Sequence, residues 1–364
     1  MLVRGEGPWL IDAEGRRYFD GNSSIWTNIH GHCHPRLDKA LREQLDEVSH
    51  TSFLGFGNPR AAELAKRLTE FFPSDSLGRV FFSDNGSTAV EVAVKMAIQY
   101  RQQSGEPGRQ EFIAFENAYH GDTMGAASLG GVSLFFDRFS SFGFSATRVT
   151  SVADMRALPP GKVDRTAAVV MEPLIQGVNE MRPWPGGQLA EIRSWCNEQG
   201  VHLILDEVMT GFGRTGTMFA CQQEEVIPDF LCLAKGLTGG YLPLAATLTT
   251  GPVFDAFLGG RDQTFHYGHS YTANQLGCAA ALASLRVFEE ERVLETLPSR
   301  VKSLEQGLKA IAHPLVHEVR QCGLIAGLEL RQETGERFGD SNRCLLYTSP
   351  SPRDRTRSRM PSSA

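Results

Sequence analysis

The sequence has no C-x-x-C pair: its seven cysteines, Cys33, Cys196, Cys221, Cys232, Cys278, Cys322 and Cys344, are odd in number and scattered. That pattern excludes a disulfide framework and leads us to expect a reducing, cytoplasmic setting. Positive charge is not in surplus either, with 36 Lys+Arg against 42 Asp+Glu and a formal net charge of -6. No basic field is available for nucleic acid or an anionic membrane surface, so small-molecule partners are expected. Long apolar runs are also missing, which speaks against a membrane span. The opening "MLVRGEGPWLIDAEGRRYFDG" is broken by polar residues every few positions, unlike a secretory signal.

What remains is the composition of a soluble globular protein, 41% hydrophobic and 21% charged, with 37 glycines spread over 364 residues. That length predicts one large domain with a smaller lobe. From residue 80, short runs rich in Val, Ile and Phe alternate with helical patterns: "RVFFSD", "EFIAFEN", "AAVVMEP", "HLILDE", "FLCLAKG" and "PLAATLT". This alternation predicts an α/β fold with a mostly parallel sheet and ligand-facing loops beyond the carboxyl ends of its strands. In "NGSTAVEVAVKMAIQYRQQ", Ala89, Val92, Ala93, Met96, Ala97 and Tyr100 recur at helical spacing and predict one buried stripe. The divisions expected are 1–22 as the first part of a small lobe, 23–290 as the large domain and 291–343 as an incomplete C-terminal part of the small lobe. Residues 344–364, "CLLYTSPSPRDRTRSRMPSSA", have no hydrophobic period and read as a disordered, non-native extension.

Four stretches bear on chemistry. "GFGRTG" at 211–216 matches the pattern of a dinucleotide loop, but it begins four residues past its strand, behind Asp206 and Glu207, whose charges would repel a pyrophosphate. A turn is the expectation there. "NIHGHCHP" sets His30, His32 and His34 at alternate positions; zinc is one reading, and a polar loop at a pocket mouth is favoured because no second ligand cluster follows. "SDNGSTAVEVAVK" brings Gly86, Ser87 and Thr88 to a helix N-terminus, which suits either a phosphate or an ordinary cap from Asn85 or Ser87. Finally, Asp206 and Lys235 lie at the ends of two short apolar strands, where a charge is costly unless paired or used. An ion pair is the plain reading. Together with a helix N-terminus for phosphate and the aromatic of "NAYHGDT", a lysine for a Schiff base and a carboxylate for a pyridinium nitrogen describe a pyridoxal phosphate pocket.

"DGNSSIWTNIHGHCHP", "NGSTAVEVAVKMAIQY", "NAYHGDTMGA", "MEPLIQG", "LDEVMTGFGRTG", "CLAKGLTGG" and "YGHSYTANQLGCAAALASL" together resemble the class III aminotransferases of fold type I. The resemblance implies pyridoxal 5'-phosphate as cofactor, a keto acid and an amino donor as substrates, and a homodimer with a shared active site. It implies Lys235 as the lysine bonded to the cofactor, Asp206 at the pyridine nitrogen, Tyr119 stacked on the ring, and Gly86 and Ser87 at the phosphate. Ser270 would reach that phosphate from the partner subunit, with Gly268 and His269 beside it. Ile25 and Trp26 would wall the substrate site, and Glu172 and Arg214 would line the pocket. No metal is implied. Ile25 stands where one branch has a tryptophan, leaving the donor open between S-adenosylmethionine and lysine. The family's carboxylate-binding arginine belongs to a lobe expected past residue 343. Another ω-amine transaminase, an aminomutase of the same fold and an inactive fragment are the competing readings.

Overall fold

A computed structural model describes residues 1–74 and 76–337; the expectation for 344–364 and the last residues of the expected C-terminal lobe lie outside them. The chain opens with a three-stranded antiparallel sheet, β1 (Leu2–Glu6), β2 (Trp9–Asp12) and β3 (Arg17–Phe19). The large sheet has seven strands: β4 (Arg79–Ser83), β5 (Glu111–Phe115), β6 (Thr147–Val149), β7 (Thr166–Met171), β10 (His202–Asp206), β11 (Phe230–Leu233) and β12 (Ala245–Thr249). Their order is β4-β12-β11-β10-β7-β5-β6, and β12 alone runs antiparallel to its neighbours. The short pair β8 (Ile175–Gln176) and β9 (Arg182–Pro183) follows β7, and β13 (Val316–Cys322) with β14 (Ile325–Leu330) forms an antiparallel hairpin.

Strands β7, β10, β11 and β12 are buried along their whole length, which is why each reads as a continuous apolar run and not as an alternation. Period-two geometry divides their side chains between two cores. Leu203, Leu205, Leu231 and Leu233 pack with Leu189, Ile192 and Trp195 of the helix Gln188–Gln199 on one face. Ile204, Phe230, Cys232 and Ala245 pack with the helix Gly86–Gln103 on the other. The expected stripe on that second helix is too narrow. Val90 and Val94 are buried as well, and Tyr100 is only partly covered, because Ala126 and Leu129 of the helix Met124–Leu129 join the same core.

At the C-terminal end, the helix Val293–Lys309 precedes the β13–β14 hairpin. The hairpin tip, Gly323 with φ +60°, rests on the 211–216 turn: the Leu324 amide donates to the Arg214 carbonyl at 2.8 Å, and a Cβ on Gly323 would come within 2.4 Å of Thr215. Among the described residues no helix is long and apolar enough to cross a membrane.

Candidate active site

The site grows from the carboxyl ends of β7, β10 and β11, side by side at the centre of the sheet. Asp206 ends β10 with its side chain on the same face as Ile204. Its Oδ1 accepts the Val208 amide at 3.1 Å, and its Oδ2 lies 2.8 Å from His120 Nδ1. The His120 side chain is fully buried and, among the described residues, its Nε2 has no hydrogen-bond partner. One position on, Glu207 points to the opposite face. Its two oxygens accept the Ala220 and Cys221 amides at 2.6 and 2.8 Å, with the Thr210 hydroxyl at 3.3 Å. The expectation that Asp206 and Glu207 face one ligand together is therefore corrected: strand alternation gives the pocket one carboxylate and the core the other.

Glu172 follows β7 and enters from the neighbouring strand, its carboxylate accepting the Tyr119 amide at 3.2 Å and the Gly177 amide at 2.9 Å. Burial pushes this carboxyl up to about 7; the charge of Asp206 adds to that shift, while His120 and the two amides oppose it. Lys235 follows β11 with a left-handed φ of +45°. Its amine is lowered to about 8, chiefly by burial, with Asp206 and Glu172 opposing and Arg214 adding to the shift. The Nζ lies 4.5 Å from the centre of the Trp26 ring, within range of a cation–π contact. Arg214, from the "GFGRTG" turn, has a buried Nη2 without a hydrogen-bond partner among the described residues, and burial brings its guanidinium down to about 10. Lys235, Asp206, Glu172, Arg214 and Trp26 are thus electrostatic or direct neighbours.

Tyr119 joins from the segment after β5. Its hydroxyl donates to Asp122 at 2.8 Å and its ring meets Phe135 edge-on at 5.2 Å; burial first, and then the Asp122 bond, push its phenol upward. The Asp122 amide in turn donates to Ser87 Oγ at 3.1 Å. Between them Gly121 has φ +118°, and a Cβ there would stand 2.1 Å from Ser87 Oγ, so the chain can close over Ser87 only with glycine. The helix start at Gly86 is capped by Asn85, whose side chain takes the Thr88 amide at 3.0 Å. That settles the capping alternative in favour of Asn85. It leaves Gly86 and Ser87 at the positive helix end, where first-turn amides have no intrahelical acceptor.

These features fit pyridoxal phosphate: a helix start with a closely folded glycine turn for a phosphate, a tyrosine ring, and an amine and a carboxylate from adjacent strands.

Other expected residues stand elsewhere. Gly268 and Ser270 are exposed and His269 is half-buried. The Ser270 carbonyl bonds His50 Nε2 at 2.8 Å, and the Tyr271 ring lies 4.6 Å from that of His50. Among the described residues no hydrogen bond links this segment to the lysine cluster. Ile25 is 49% exposed, beside the inward Trp26. The three histidines of "NIHGHCHP" part company: His30 Nε2 reaches Ser284 Oγ at 2.9 Å, His32 Nε2 reaches Asp20 at 2.9 Å and His34 Nε2 reaches Glu291 at 3.1 Å. "GFGRTG" is a run of turns, as expected. His120 was missed although it sits beside Tyr119 in "NAYHGDT", because nothing local reports that its ring meets Asp206.

A match to the family described as Aminotransferase class-III spans residues 1–344. This chain belongs to the class III aminotransferases. Within that family, an adenosylmethionine-8-amino-7-oxononanoate aminotransferase of Nitratidesulfovibrio vulgaris is 50% identical over 354 residues, covering 91% of this chain and 65% of its own length. The like-named enzyme of Aquifex aeolicus is 45% identical, covering 93% of this chain and 80% of its own length. This class III aminotransferase therefore spans just under two thirds of the first relative and four fifths of the second. Among solved structures, the like-named enzyme of Methanocaldococcus jannaschii superposes with a TM-score of 0.89 at 40% identity, over 94% of this chain and 81% of that one. An amine transaminase from an uncultivated Pseudomonas species, solved with pyridoxal phosphate bound, gives 0.86 at 33% identity over 94% and 83%. The class III aminotransferase shares their fold type I architecture.

Proposed function

We propose that this class III aminotransferase, with pyridoxal phosphate, transfers an amino group to 8-amino-7-oxononanoate to give 7,8-diaminononanoate, a step of biotin biosynthesis. The observation that carries the chemistry is the placement of Asp206 and Lys235 at the ends of adjacent strands, with the lysine amine brought down to about 8. The substrate rests on relatives 45–50% identical over more than nine tenths of the chain.

When bound, the cofactor supplies an electron-withdrawing ring that accepts the electrons left behind as a proton leaves the donor's α-carbon. Lys235 holds the cofactor and, once released, takes that proton on Nζ and returns it; an amine near 8 is partly neutral at physiological pH and can do both. Asp206, fixed by His120 and the Val208 amide, keeps a proton on the ring nitrogen through a charge-assisted bond. Gly86 and Ser87 hold the phosphate at the helix N-terminus. Tyr119 orients the ring from its bond to Asp122, and Trp26 with Ile25 walls the substrate side. Glu172 and Arg214 line the pocket. S-adenosylmethionine and lysine are the two donors to be tested.

A homodimer completes this reading. Gly268, His269 and Ser270 lie outside the lysine cluster, against His50, and the residues that follow His50 in sequence include Phe53, Leu54 and Phe56, which with Tyr271 are 38%, 89%, 71% and 62% exposed. Exposed apolar residues of this kind suit an interaction surface, and the family resemblance has Ser270 reach the partner's phosphate across it. A cytoplasmic setting accompanies the free cysteines.

The test is to incubate the chain and cofactor with 8-amino-7-oxononanoate and each donor, following 7,8-diaminononanoate by mass spectrometry. Product with one donor and a visible band lost in Lys235→Ala are expected. The likeness to the Pseudomonas amine transaminase supports a second reading, another ω-amine substrate; turnover of simple amines with no diaminononanoate from either donor would select it.

A further inference from the structure

Trp26, which faces the lysine, sits on a backbone conformation that L-residues rarely adopt. Ser23, Ser24, Ile25 and Trp26 all lie in the left-handed region, with φ of +53°, +51°, +60° and +63°. L-residues avoid that conformation, branched Ile25 most of all. Four in succession persist only where the surroundings over-determine them.

Backbone bonds close the turn, among them the Thr27 amide to the Ser23 carbonyl at 2.9 Å, and one carboxylate adds two side-chain bonds at its centre. Asp20 Oδ1 accepts the Ser24 amide at 2.9 Å and Oδ2 accepts the Ser24 hydroxyl at 2.8 Å. The same Oδ2 is 2.9 Å from His32 Nε2, and the two side chains are only 6% and 18% exposed. Although burial opposes it, the Ser24 donors and His32 hold the Asp20 carboxyl below the usual carboxylate range. The Trp26 amide closes the turn on the Asn22 carbonyl at 2.8 Å.

His32 is itself seated in the N-terminal sheet. Its backbone exchanges two hydrogen bonds with Gly7, at 3.1 and 2.7 Å. A Cβ on Gly5 would lie 2.6 Å from the His32 side chain, so only glycine in β1 leaves room for the ring. At the far end Trp26 packs with Ile175 and Met209 and lies 4.5 Å from Lys235 Nζ.

We propose that Asp20 and His32 are positioning residues: His32, anchored in the N-terminal sheet, orients Asp20, and Asp20 holds the left-handed Ser23–Trp26 turn that keeps the Trp26 ring over the Lys235 amine. The proposal rests on Lys235 being the reactive amine. It gives the "NIHGHCHP" loop a role and ties residues of β1 to the shape of the substrate wall.

Labelling of the lysine tests it without requiring turnover. The cofactor-free full chain is treated with pyridoxal, which lacks the phosphate, and cyanoborohydride; modification of Lys235 is measured by peptide mass spectrometry against exposed Lys39. Trp26→Ala should raise the Lys235:Lys39 ratio about tenfold. Asp20→Ala and His32→Gln should raise it about three- to tenfold and add nothing in the Trp26→Ala background, as groups acting through one another do. Ser24→Gly combined with Asp20→Ala should return the ratio towards that of the parent, since glycine adopts the left-handed conformation unaided. In the loaded enzyme the same Asp20 variant should raise KM for the amino acceptor more than it lowers kcat. An unchanged ratio in Asp20→Ala overturns the proposal. So does an increase that adds fully to that of Trp26→Ala, which general loosening of the fold would give. Failure of Lys235 to label even in Trp26→Ala overturns the assignment of the lysine itself.

Discussion

The carboxyl edge of the large sheet and the β13–β14 hairpin both carry many charges, and they treat them in opposite ways. At the sheet edge Asp206, Glu172 and Glu207 are each nearly or fully buried, and each has assigned donors: His120 and the Val208 amide, the Tyr119 and Gly177 amides, the Ala220 and Cys221 amides. In the hairpin, Arg320, Glu318, Glu329, Arg331, Arg337 and Glu180 form a web in which most partners are a third or more exposed. Beside it lies an open groove lined by Val301, Leu308, Ile311 and Val319. Desolvation makes each charge at the sheet edge costly and so fixes its partner, whereas around the buried Arg320 and Glu329 the solvent-facing Glu318, Arg331, Arg337 and Glu180 can exchange partners at little cost.

Mutation breaks the comparison open. Lys235→Ala should reduce amino transfer to background and abolish the visible band on adding pyridoxal phosphate, read by absorbance and a product assay. Asp206→Asn should keep the band and lower kcat about a hundred- to a thousandfold, the range for removing one pre-organised charge partner. It should also move the midpoint for Lys235 labelling from about 8 to lower pH, because the charge of Asp206 favours the protonated amine. An unmoved midpoint would break the electrostatic link between the two strands.

Stability experiments sharpen the same contrast. Glu207→Ala leaves two buried amides without acceptors and should lower the stability measured by denaturant unfolding by about 2–4 kcal/mol, while the Lys235 midpoint stays in place. For Glu172 the folded carboxyl titrates near 7 and the unfolded one near the ordinary 4.5. The folded chain therefore holds a proton between those values that the unfolded chain releases, and stability should fall as pH rises from 4.5 through 7. Glu172→Gln should remove that slope, worth on the order of 3 kcal/mol at pH 8 for a fully buried group. The smallest effect belongs to the hairpin: Arg331→Ala, which removes a partly exposed ion pair with Glu329, should cost less than about 1 kcal/mol.

The same contrast explains what could be read without a structure. Fully buried strands announce themselves as apolar runs, so the sheet, Asp206 and Lys235 were legible together with the amphipathic helix after Gly86. The direction of Glu207 was legible in principle, since neighbouring residues on a strand face opposite sides. His120 was not, because its partner lies on another strand. Nor was the left-handed turn at Ser23–Trp26: its residues have no intrinsic preference for that backbone, and the contacts that enforce it come from Asp20, Asn22 and, through His32, from the first strand. Local pattern records burial; it does not record partners brought in by the fold.

The seat of Gly323 on the Arg214–Thr215 backbone has a consequence in time. Strands β4 to β12 and the lysine are all synthesised before the hairpin that steadies Arg214, so a growing chain can assemble its sheet while one wall of the pocket still waits for its brace. The hairpin is among the last described segments to leave the ribosome, and a chain halted before it would carry Lys235 and Asp206 in place beside a turn closed by Gly213 and Met218 but without the Leu324 amide on the Arg214 carbonyl.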